Sequence, residues 1–231
     1  PETVAAVIAE PVIGGGGVIV PPDEYLPRLR AICDRYGVLM ILDEVITGFG
    51  RTGATFAAEH WNVVPDMMTI AKGVTSGYLP LAACIVRPEI FDTFLGQPNE
   101  RRELAQVSTY GGHPACCAAA LANIDILLGE NLVENSARIG DYLLAQLKEL
   151  QSPVIGEVRG KGLMMALELT EPDGISHFRT RPSAVRAGRS RDQSRYDCRS
   201  LLGTGRAVHL HGQGGKPRRR FGDVGRLGPP A

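Results

Sequence analysis

The chain has 231 residues, with 25 Lys and Arg against 25 Asp and Glu, so its formal net charge is zero. This length can bury a substantial core in one or two domains. No apolar run approaches the ~20 residues that span a bilayer and no signal peptide is visible, which argues against a membrane protein. The five cysteines have no metal-ligand spacing, which indicates reduced thiols, a cytoplasmic protein and no metal site.

The zero net charge hides two parts of opposite sign. Residues 1–174 contain 12 Lys and Arg against 22 Asp and Glu, a balance of −10. Residues 175–231 contain 13 against 3, a balance of +10, and twelve of these thirteen cations are arginine. Such an abrupt change of composition predicts a boundary near Gly174.

The N-terminal 45 residues have the pattern of a βαβ unit. Thr3–Ala9 is a continuous apolar run that ends at Glu10, which is typical of a buried strand. Asp23 can cap a helix that ends at Gly37, and Val38–Leu42 forms a second buried strand. Because the links are short, this order predicts a parallel sheet with a right-handed crossover.

The remaining elements follow in chain order as far as residue 169. The patterns predict strands over Met67–Ala71, Ala82–Val86 and Leu163–Leu169, and helices over Pro88–Leu95, His113–Leu128 and Leu132–Leu150. Residues 1–150 therefore make an α/β domain. The strand over Leu163–Leu169 begins a smaller α+β domain over residues 151–174.

Asp43 and Lys72 are the residues of this sheet that indicate chemistry. Each follows a predicted buried strand, so both side chains come at the carboxyl ends of parallel strands. A lysine there can form a Schiff base with the aldehyde of pyridoxal phosphate, and a carboxylate can keep the pyridine nitrogen protonated. Taken alone, the pair leaves other interpretations open. The lysine can be a solvated loop charge, and Asp43 with Glu44 can be a helix cap or a magnesium or nucleotide ligand.

Several motifs occur in order around these two residues. They are Ala9-Glu10-Pro11-Val12, Leu42-Asp43-Glu44-Val45-Ile46-Thr47-Gly48-Phe49-Gly50-Arg51-Thr52-Gly53, Pro65-Asp66, Ala71-Lys72-Gly73, Gly77-Tyr78-Leu79-Pro80-Leu81, Ser108-Thr109-Tyr110-Gly111-Gly112-His113-Pro114 and Arg159-Gly160-Lys161-Gly162-Leu163-Met164. With them, residues 4–171 resemble the class III pyridoxal-phosphate aminotransferases, and most closely the omega-amino-acid:pyruvate aminotransferases. The resemblance implies the large domain of fold type I, a mostly parallel sheet between helices.

The resemblance also implies a role for five residues. Lys72 is the Schiff-base lysine, which also moves a proton, and Asp43 holds the proton on the pyridine nitrogen. Val45 packs on the ring face, or belongs to the core. Thr109 binds the cofactor phosphate across a dimer interface, unless it is an ordinary loop threonine. Glu10 lies near the cofactor edge, where it could sense substrate charge, or is a buried structural acid.

Other residues of the same motifs have structural interpretations. Glu44 follows Asp43 directly, so its side chain points to the other face, and we interpret it as structural. Arg51 is expected to order its loop or contact a subunit rather than bind substrate. His113 is expected to cap or pack at a helix start, and Arg159 resembles a recurrent structural arginine.

The function implied is transamination, from an amine or an omega-amino acid to an oxo acid such as pyruvate, in a homodimer or tetramer. A related aminomutase, decarboxylase or racemase would use the same Asp43 and Lys72 and remains an alternative. Another alternative is a non-catalytic fragment. The resemblance implies that roughly half of a full enzyme is missing upstream, so we expect this polypeptide alone to be inactive.

Residues 175–231 do not continue the family pattern. We favour a reading-frame shift near Gly174 of a GC-rich gene, since GC-rich codons read out of frame yield Arg, Gly, Pro and Ala. A genuine basic tail is the alternative, and either origin predicts mostly disorder. A nucleic-acid-binding arm is disfavoured, because no aromatic residues interleave with the cations and no known module is visible.

Overall fold

A computed structural model describes residues 2–97, 99–106 and 108–170 of the protein. The predicted boundary near Gly174 and the predicted tail over residues 175–231, with its alternative origins, lie outside the described residues. The predicted division at residue 150 stays a prediction.

Four strands form the main sheet in the order β1-β2-β3-β4. They span Ala6–Ala9 (β1), Leu39–Asp43 (β2), Met67–Ile70 (β3) and Ala83–Val86 (β4). β1, β2 and β3 are parallel, as predicted, whereas β4 is antiparallel to β3. A parallel return needs a long crossover, usually through a helix, and the segment between β3 and β4 contains only a 3₁₀ turn over Lys72–Thr75. The α/β class is confirmed, with one antiparallel edge strand.

The helices of the described residues agree in order with the predicted ones. They span Tyr25–Tyr36 (α1), Pro88–Asp92 (α2), Pro114–Gly129 (α3) and Leu132–Lys148 (α4), and a second 3₁₀ turn spans Ala57–Trp61. α1 ends at Gly37 as predicted, because Gly37 adopts the left-handed φ of 64° that glycine tolerates best.

The predicted cap of α1 at Asp23 is wrong. The residue that precedes the helix is Glu24, and no side-chain hydrogen bond caps the first turn. Glu24 has helical backbone angles, with φ −81° and ψ −13°, rather than the extended angles of a usual N-cap residue, and among the described residues the Asp23 side chain makes no hydrogen bond to the first turn.

A hairpin follows α4, and sequence analysis predicted only its second strand. Ile155–Lys161 (β5) pairs antiparallel with Met164–Leu169 (β6). β5 has two glycines and three charged residues, so it lacks the apolar alternation that identifies a strand. The hairpin forms because β6 supplies its partner and Gly162 turns at a φ of 56°.

The core lies between α1 and the sheet. Leu26 and Cys33 of α1 pack with Met40 and Leu42 of β2, and all four are at most 1% exposed. Met164 of β6 belongs to the same cluster. Within the part of the chain that the structure describes, no single helix is long and apolar enough to cross a bilayer; α3 and α4 meet that criterion only as a pair, across a 61° bend.

Asp66, in the Pro65-Asp66 motif, connects the sheet to α1. Its Oδ2 accepts hydrogen bonds from Met40 N–H and Arg30 Nη1, both at 2.7 Å. Its Oδ1 lies 3.1 Å from Arg87 Nη1. Burial by itself would raise the pKa of Asp66, but the hydrogen bonds from Met40 and Arg30 and the charges of Arg30 and Arg87 lower it. This carboxylate is therefore an anionic anchor inside the fold.

Candidate active site

The candidate site lies where the three parallel strands end. Ala9 pairs with Leu42, so Glu10 follows β1 at the level where Asp43 ends β2. Asp43 pairs with Thr69 of β3, and Lys72 begins the 3₁₀ turn directly beyond that strand. The structure therefore brings Glu10, Asp43 and Lys72 to one edge of the sheet, the edge at which open α/β sheets bind ligands.

The Asp43 carboxylate is held by one of its two oxygens. Oδ1 accepts hydrogen bonds from Val45 N–H at 3.0 Å and from the Thr69 hydroxyl at 3.1 Å. Among the described residues, no donor hydrogen-bonds to Oδ2. The carboxylate is thus fixed in orientation with one oxygen available to an outside donor.

Lys72 begins the 3₁₀ turn with a φ of 42°, in the left-handed region that costs a non-glycine residue free energy. Its side chain is exposed, and none of the described residues forms an ion pair or hydrogen bond with its amine. The next residue, Gly73, packs so closely on Phe49 that an added Cβ would lie 3.1 Å from Phe49 Cβ. The lysine therefore presents an unpaired amine from a tightly packed turn.

Glu44 performs a different task from its neighbour Asp43. It is fully buried, and its carboxylate accepts hydrogen bonds from the Thr47 hydroxyl and from the N–H groups of Ala57 (3.0 Å) and Ala58 (2.8 Å). Burial raises the pKa of Glu44, and these hydrogen bonds offset part of that rise. The contacts agree with the structural interpretation, because Glu44 holds the loop that follows β2.

The other predicted cofactor residues make only local contacts. Glu10 Oε2 accepts a hydrogen bond from Gly14 N–H at 2.8 Å, so its carboxylate orders the glycine-rich loop. Val45 is partly buried, and Thr109 lies in an exposed turn before α3. Within the described residues, no hydrogen bond joins Thr109 to Asp43 or Lys72, so the roles of Val45, Thr109 and Glu10 toward a cofactor stay predictions.

His113 has the local role expected from the sequence, whereas the predicted role of the Arg51 side chain stays a prediction. His113 precedes α3, and its Nδ1 accepts a hydrogen bond from Ala115 N–H at 3.2 Å, which confirms the predicted cap. The Arg51 carbonyl accepts a hydrogen bond from Leu163 N–H at 3.1 Å, so the main chain of this loop is tied to the hairpin. The Arg51 side chain is exposed.

Arg159 joins the hairpin to the glycine-rich loop. Its Nε donates to the Gly17 carbonyl at 2.9 Å, and its Nη1 lies 2.7 Å from Glu168 and 2.6 Å from Glu157. The hydrogen bond to Glu168 is the main reason why the pKa of Arg159 is raised. These contacts agree with the structural interpretation of Arg159.

Sequence analysis missed two residues that support the site. Thr69 orients Asp43, which only the strand register reveals. Asn123 of α3 donates to the carbonyls of Gly73 and Val74, next to Lys72. A signal for Asn123 was present, because it is the one amide among the apolar side chains and thiols of α3 from Pro114 to Ile124.

The sequence matches the family model "Aminotransferase class-III" over residues 1–188. The chain belongs to the class-III aminotransferase family. Class-III aminotransferases depend on pyridoxal phosphate, so the predicted family and cofactor are confirmed.

Three relatives illustrate the similarity of this class-III aminotransferase chain. The putrescine–pyruvate aminotransferase of Pseudomonas aeruginosa is 48% identical over 172 residues, 74% of this chain and 37% of the relative. An (S)-enantioselective omega-transaminase from Thermomicrobium roseum is 53% identical with a TM-score of 0.70, over 74% of this chain and 38% of its own. A PLP-bound amine transaminase from an uncultivated Pseudomonas species is 49% identical with a TM-score of 0.71, over 75% of this chain and 40% of its own.

The solved structures confirm the predicted fold type I. The chain spans only 37–40% of the length of the three proteins. Within that span, the residues present fit pyridoxal phosphate on two counts. Among the described residues, the Lys72 amine has no ion-pair or hydrogen-bond partner, and one oxygen of the Asp43 carboxylate accepts no hydrogen bond. The two groups lie at the same edge of the sheet.

Proposed function

We propose that the protein transfers an amino group from an amine or an omega-amino acid to an oxo acid such as pyruvate. The observation that carries the proposal is the arrangement of Asp43 and Lys72 at neighbouring strand ends, one with an available carboxylate oxygen and the other with an available amine. The substrate classes are supported by the relatives, one of which is named for putrescine and pyruvate and another as an omega-transaminase.

Each of the two residues has a distinct task in this proposal. When bound, pyridoxal phosphate supplies a cationic ring that draws electron density from the reacting carbon. Asp43 Oδ2 would accept the N–H of the pyridine ring and keep the proton at that nitrogen. Val45 N–H and the Thr69 hydroxyl, through Oδ1, hold the carboxylate in that orientation. Lys72 Nζ would hold the cofactor and move a proton at the substrate carbon.

The remaining roles follow from the resemblance. Val45 would pack on the ring face, and Glu10 would lie near the cofactor edge. Thr109 would bind the cofactor phosphate at a subunit interface of a homodimer or tetramer. The exposed turn of Thr109 and Tyr110, the latter 81% exposed, supports such an interface. A cytoplasmic location is supported by the free thiols of the four described cysteines.

Chemical trapping on the 231-residue chain tests the cofactor site. The chain is incubated with pyridoxal phosphate, reduced with borohydride and mapped by mass spectrometry of its peptides. We expect the label on Lys72 well above Lys148, an exposed helix lysine, and above Lys161, whose amine lies 5.4 Å from the centre of the Trp61 ring. Lys72→Ala should abolish the selective label, and Lys148→Ala should preserve it. Equal labelling of all lysines contradicts the proposal.

A spectroscopic experiment separates transamination from its alternatives. An amine donor is added to the cofactor-loaded chain, followed by pyruvate, while the cofactor absorbance is recorded. Conversion of the cofactor to its amine form and reversal by pyruvate support transamination. Isomerisation of the donor without any oxo acid supports an aminomutase. Labelling of Lys72 without any conversion supports a non-catalytic fragment.

A further inference from the structure

The turn that carries Lys72 has an unfavourable backbone conformation at both ends. Lys72 has a φ of 42° and Ser76 a φ of 49°, and neither is a glycine. Main-chain hydrogen bonds enter and leave the turn, from Val74 N–H to the Ala71 carbonyl at 3.1 Å and from Ser76 N–H to the Gly73 carbonyl at 3.2 Å. Such conformations persist only where surrounding contacts enforce them.

Asn123 of α3 supplies such contacts. Its side-chain amide donates to the Gly73 carbonyl at 3.0 Å and to the Val74 carbonyl at 3.1 Å. Its carbonyl oxygen accepts a hydrogen bond from the Ser76 hydroxyl. The NH₂ group and the carbonyl oxygen of the Asn123 side chain therefore both bind the Lys72 turn, which lies about 50 residues earlier in the chain.

The position of Asn123 in α3 indicates that its side chain has a specific structural role. Between Pro114 and Ile124, all other side chains of α3 are apolar or thiols. Asparagine is a poorer helix former than the alanines around it, so its presence lowers the intrinsic stability of α3. On another part of the same turn, Gly73 packs against Phe49 and the Gly48 carbonyl. The turn is thus held by the loop after β2 and by α3.

We propose that Asn123 is a positioning residue, which holds the Lys72 turn in the left-handed conformation from which the amine reaches the cofactor aldehyde. The consequence for chemistry rests on the proposed function, whereas the hold on the turn requires no cofactor. Asn123 acts through the carbonyls of Gly73 and Val74.

The first test measures the reactivity of Lys72 in Asn123→Leu, which has a similar size but no hydrogen bonds. The rate of reductive labelling by pyridoxal phosphate is measured at Lys72 and, in the same chain, at Lys148. Losing hydrogen bonds of ordinary strength should lower the Lys72:Lys148 ratio about tenfold. Asn135→Leu, the same change in α4 at an exposed asparagine that contacts Arg138, should leave the ratio unchanged.

The second test uses no cofactor. Amide hydrogen exchange of Val74 and Ser76 should become about tenfold faster in Asn123→Leu, while the amides of β2 keep their rates. If Asn123→Leu does not fold, Asn123→Asp replaces it, because aspartate keeps the acceptor for Ser76 and loses both donors. In a folded variant, unchanged exchange at Val74 and Ser76 with an unchanged labelling ratio overturns the proposal.

The two tests distinguish a failure of the proposed function from a failure of the positioning role. If the wild-type chain shows no selective label at Lys72 while exchange at Val74 and Ser76 responds to Asn123→Leu, the proposed function is contradicted and the hold of Asn123 on the turn is supported. If the wild type labels Lys72 selectively and Asn123→Leu labels it equally fast, the positioning role is contradicted and the cofactor site is supported.

Discussion

Thr69 lies directly opposite Asp43 across the parallel strands β2 and β3, and its hydroxyl donates a hydrogen bond of 3.1 Å to Asp43 Oδ1. Together with Val45 N–H, this contact engages one oxygen of the carboxylate within the fold. The other oxygen is left for the ring nitrogen of a cofactor. The orientation of the carboxylate therefore depends on a residue that sequence analysis did not select.

Thr69→Val should weaken the binding of pyridoxal phosphate about tenfold, since a hydrogen bond to a charged group contributes roughly 1.5–3 kcal/mol. Valine has nearly the same shape, so β3 should remain intact. A titration followed by cofactor absorbance measures the dissociation constant. Thr93→Val, which removes an exposed hydroxyl bonded to the Ile90 carbonyl, is the matched control and should leave binding unchanged. Equal affinities of Thr69→Val and wild type would show that Val45 N–H alone orients Asp43.

Glu44→Leu should destabilise the fold by about 3 kcal/mol, because two buried N–H groups and the Thr47 hydroxyl lose their acceptor. Urea denaturation measures the free energy of unfolding. Glu134→Leu on α4, where the glutamate is exposed, should change that free energy by less than about 0.5 kcal/mol. A Glu44→Leu variant as stable as the wild type contradicts the anchoring role of Glu44.

Asp66 should make the stability depend on acid pH. Its pKa is lowered in the folded state, so its contribution is fully present above the unfolded value of about 4 and is lost as pH falls through the lower folded value. Asp66→Asn should cost about 2 kcal/mol at pH 7, because it removes the charge that accepts hydrogen bonds from the partly buried Arg30 and from Met40 N–H. The unfolding free energies of variant and wild type should converge as pH falls.

Asp34→Asn is the control for this prediction. Asp34 binds the other side of Arg30, but its side chain is 62% exposed, so its loss should cost less than about 0.5 kcal/mol. A constant difference between Asp66→Asn and wild type from pH 7 to acid pH would contradict the assignment to Asp66.

Gly140→Ala should destabilise the protein by about 2 kcal/mol or more, although alanine is the better helix former. Gly140 lies inside α4 against the hairpin turn, where an added methyl group would overlap the backbone of Gly162. Gly129, at the end of α3, has open space around its Cβ position, so Gly129→Ala should be neutral or stabilise by up to about 1 kcal/mol. Urea denaturation compares the two variants, and equal effects would show that α4 can shift away from the hairpin.

Local patterns predicted the elements that have strong local signals. The apolar runs that became β1 and β2 and the glycine that ends α1 were identified because each signal lies within a few residues of the element it defines. β5 was missed because its glycines and charges have no strand period, and pairing with β6 decides its conformation. The predicted cap at Asp23 failed by one residue, which is the usual uncertainty of a helix start.

By itself, the sequence determined that Asp43 and Lys72 follow neighbouring parallel strands, because the apolar runs and their order are local properties of the chain. The burial predicted for these strands is wrong for β3, whose residues are all only partly buried, and Ile8 of β1 is 63% exposed. Only the tertiary structure decided how these side chains are held. Thr69 reaches Asp43 across 26 residues, and Asn123 reaches the Lys72 turn across about 50. Contacts of that separation depend on strand register and helix packing, which no local pattern specifies.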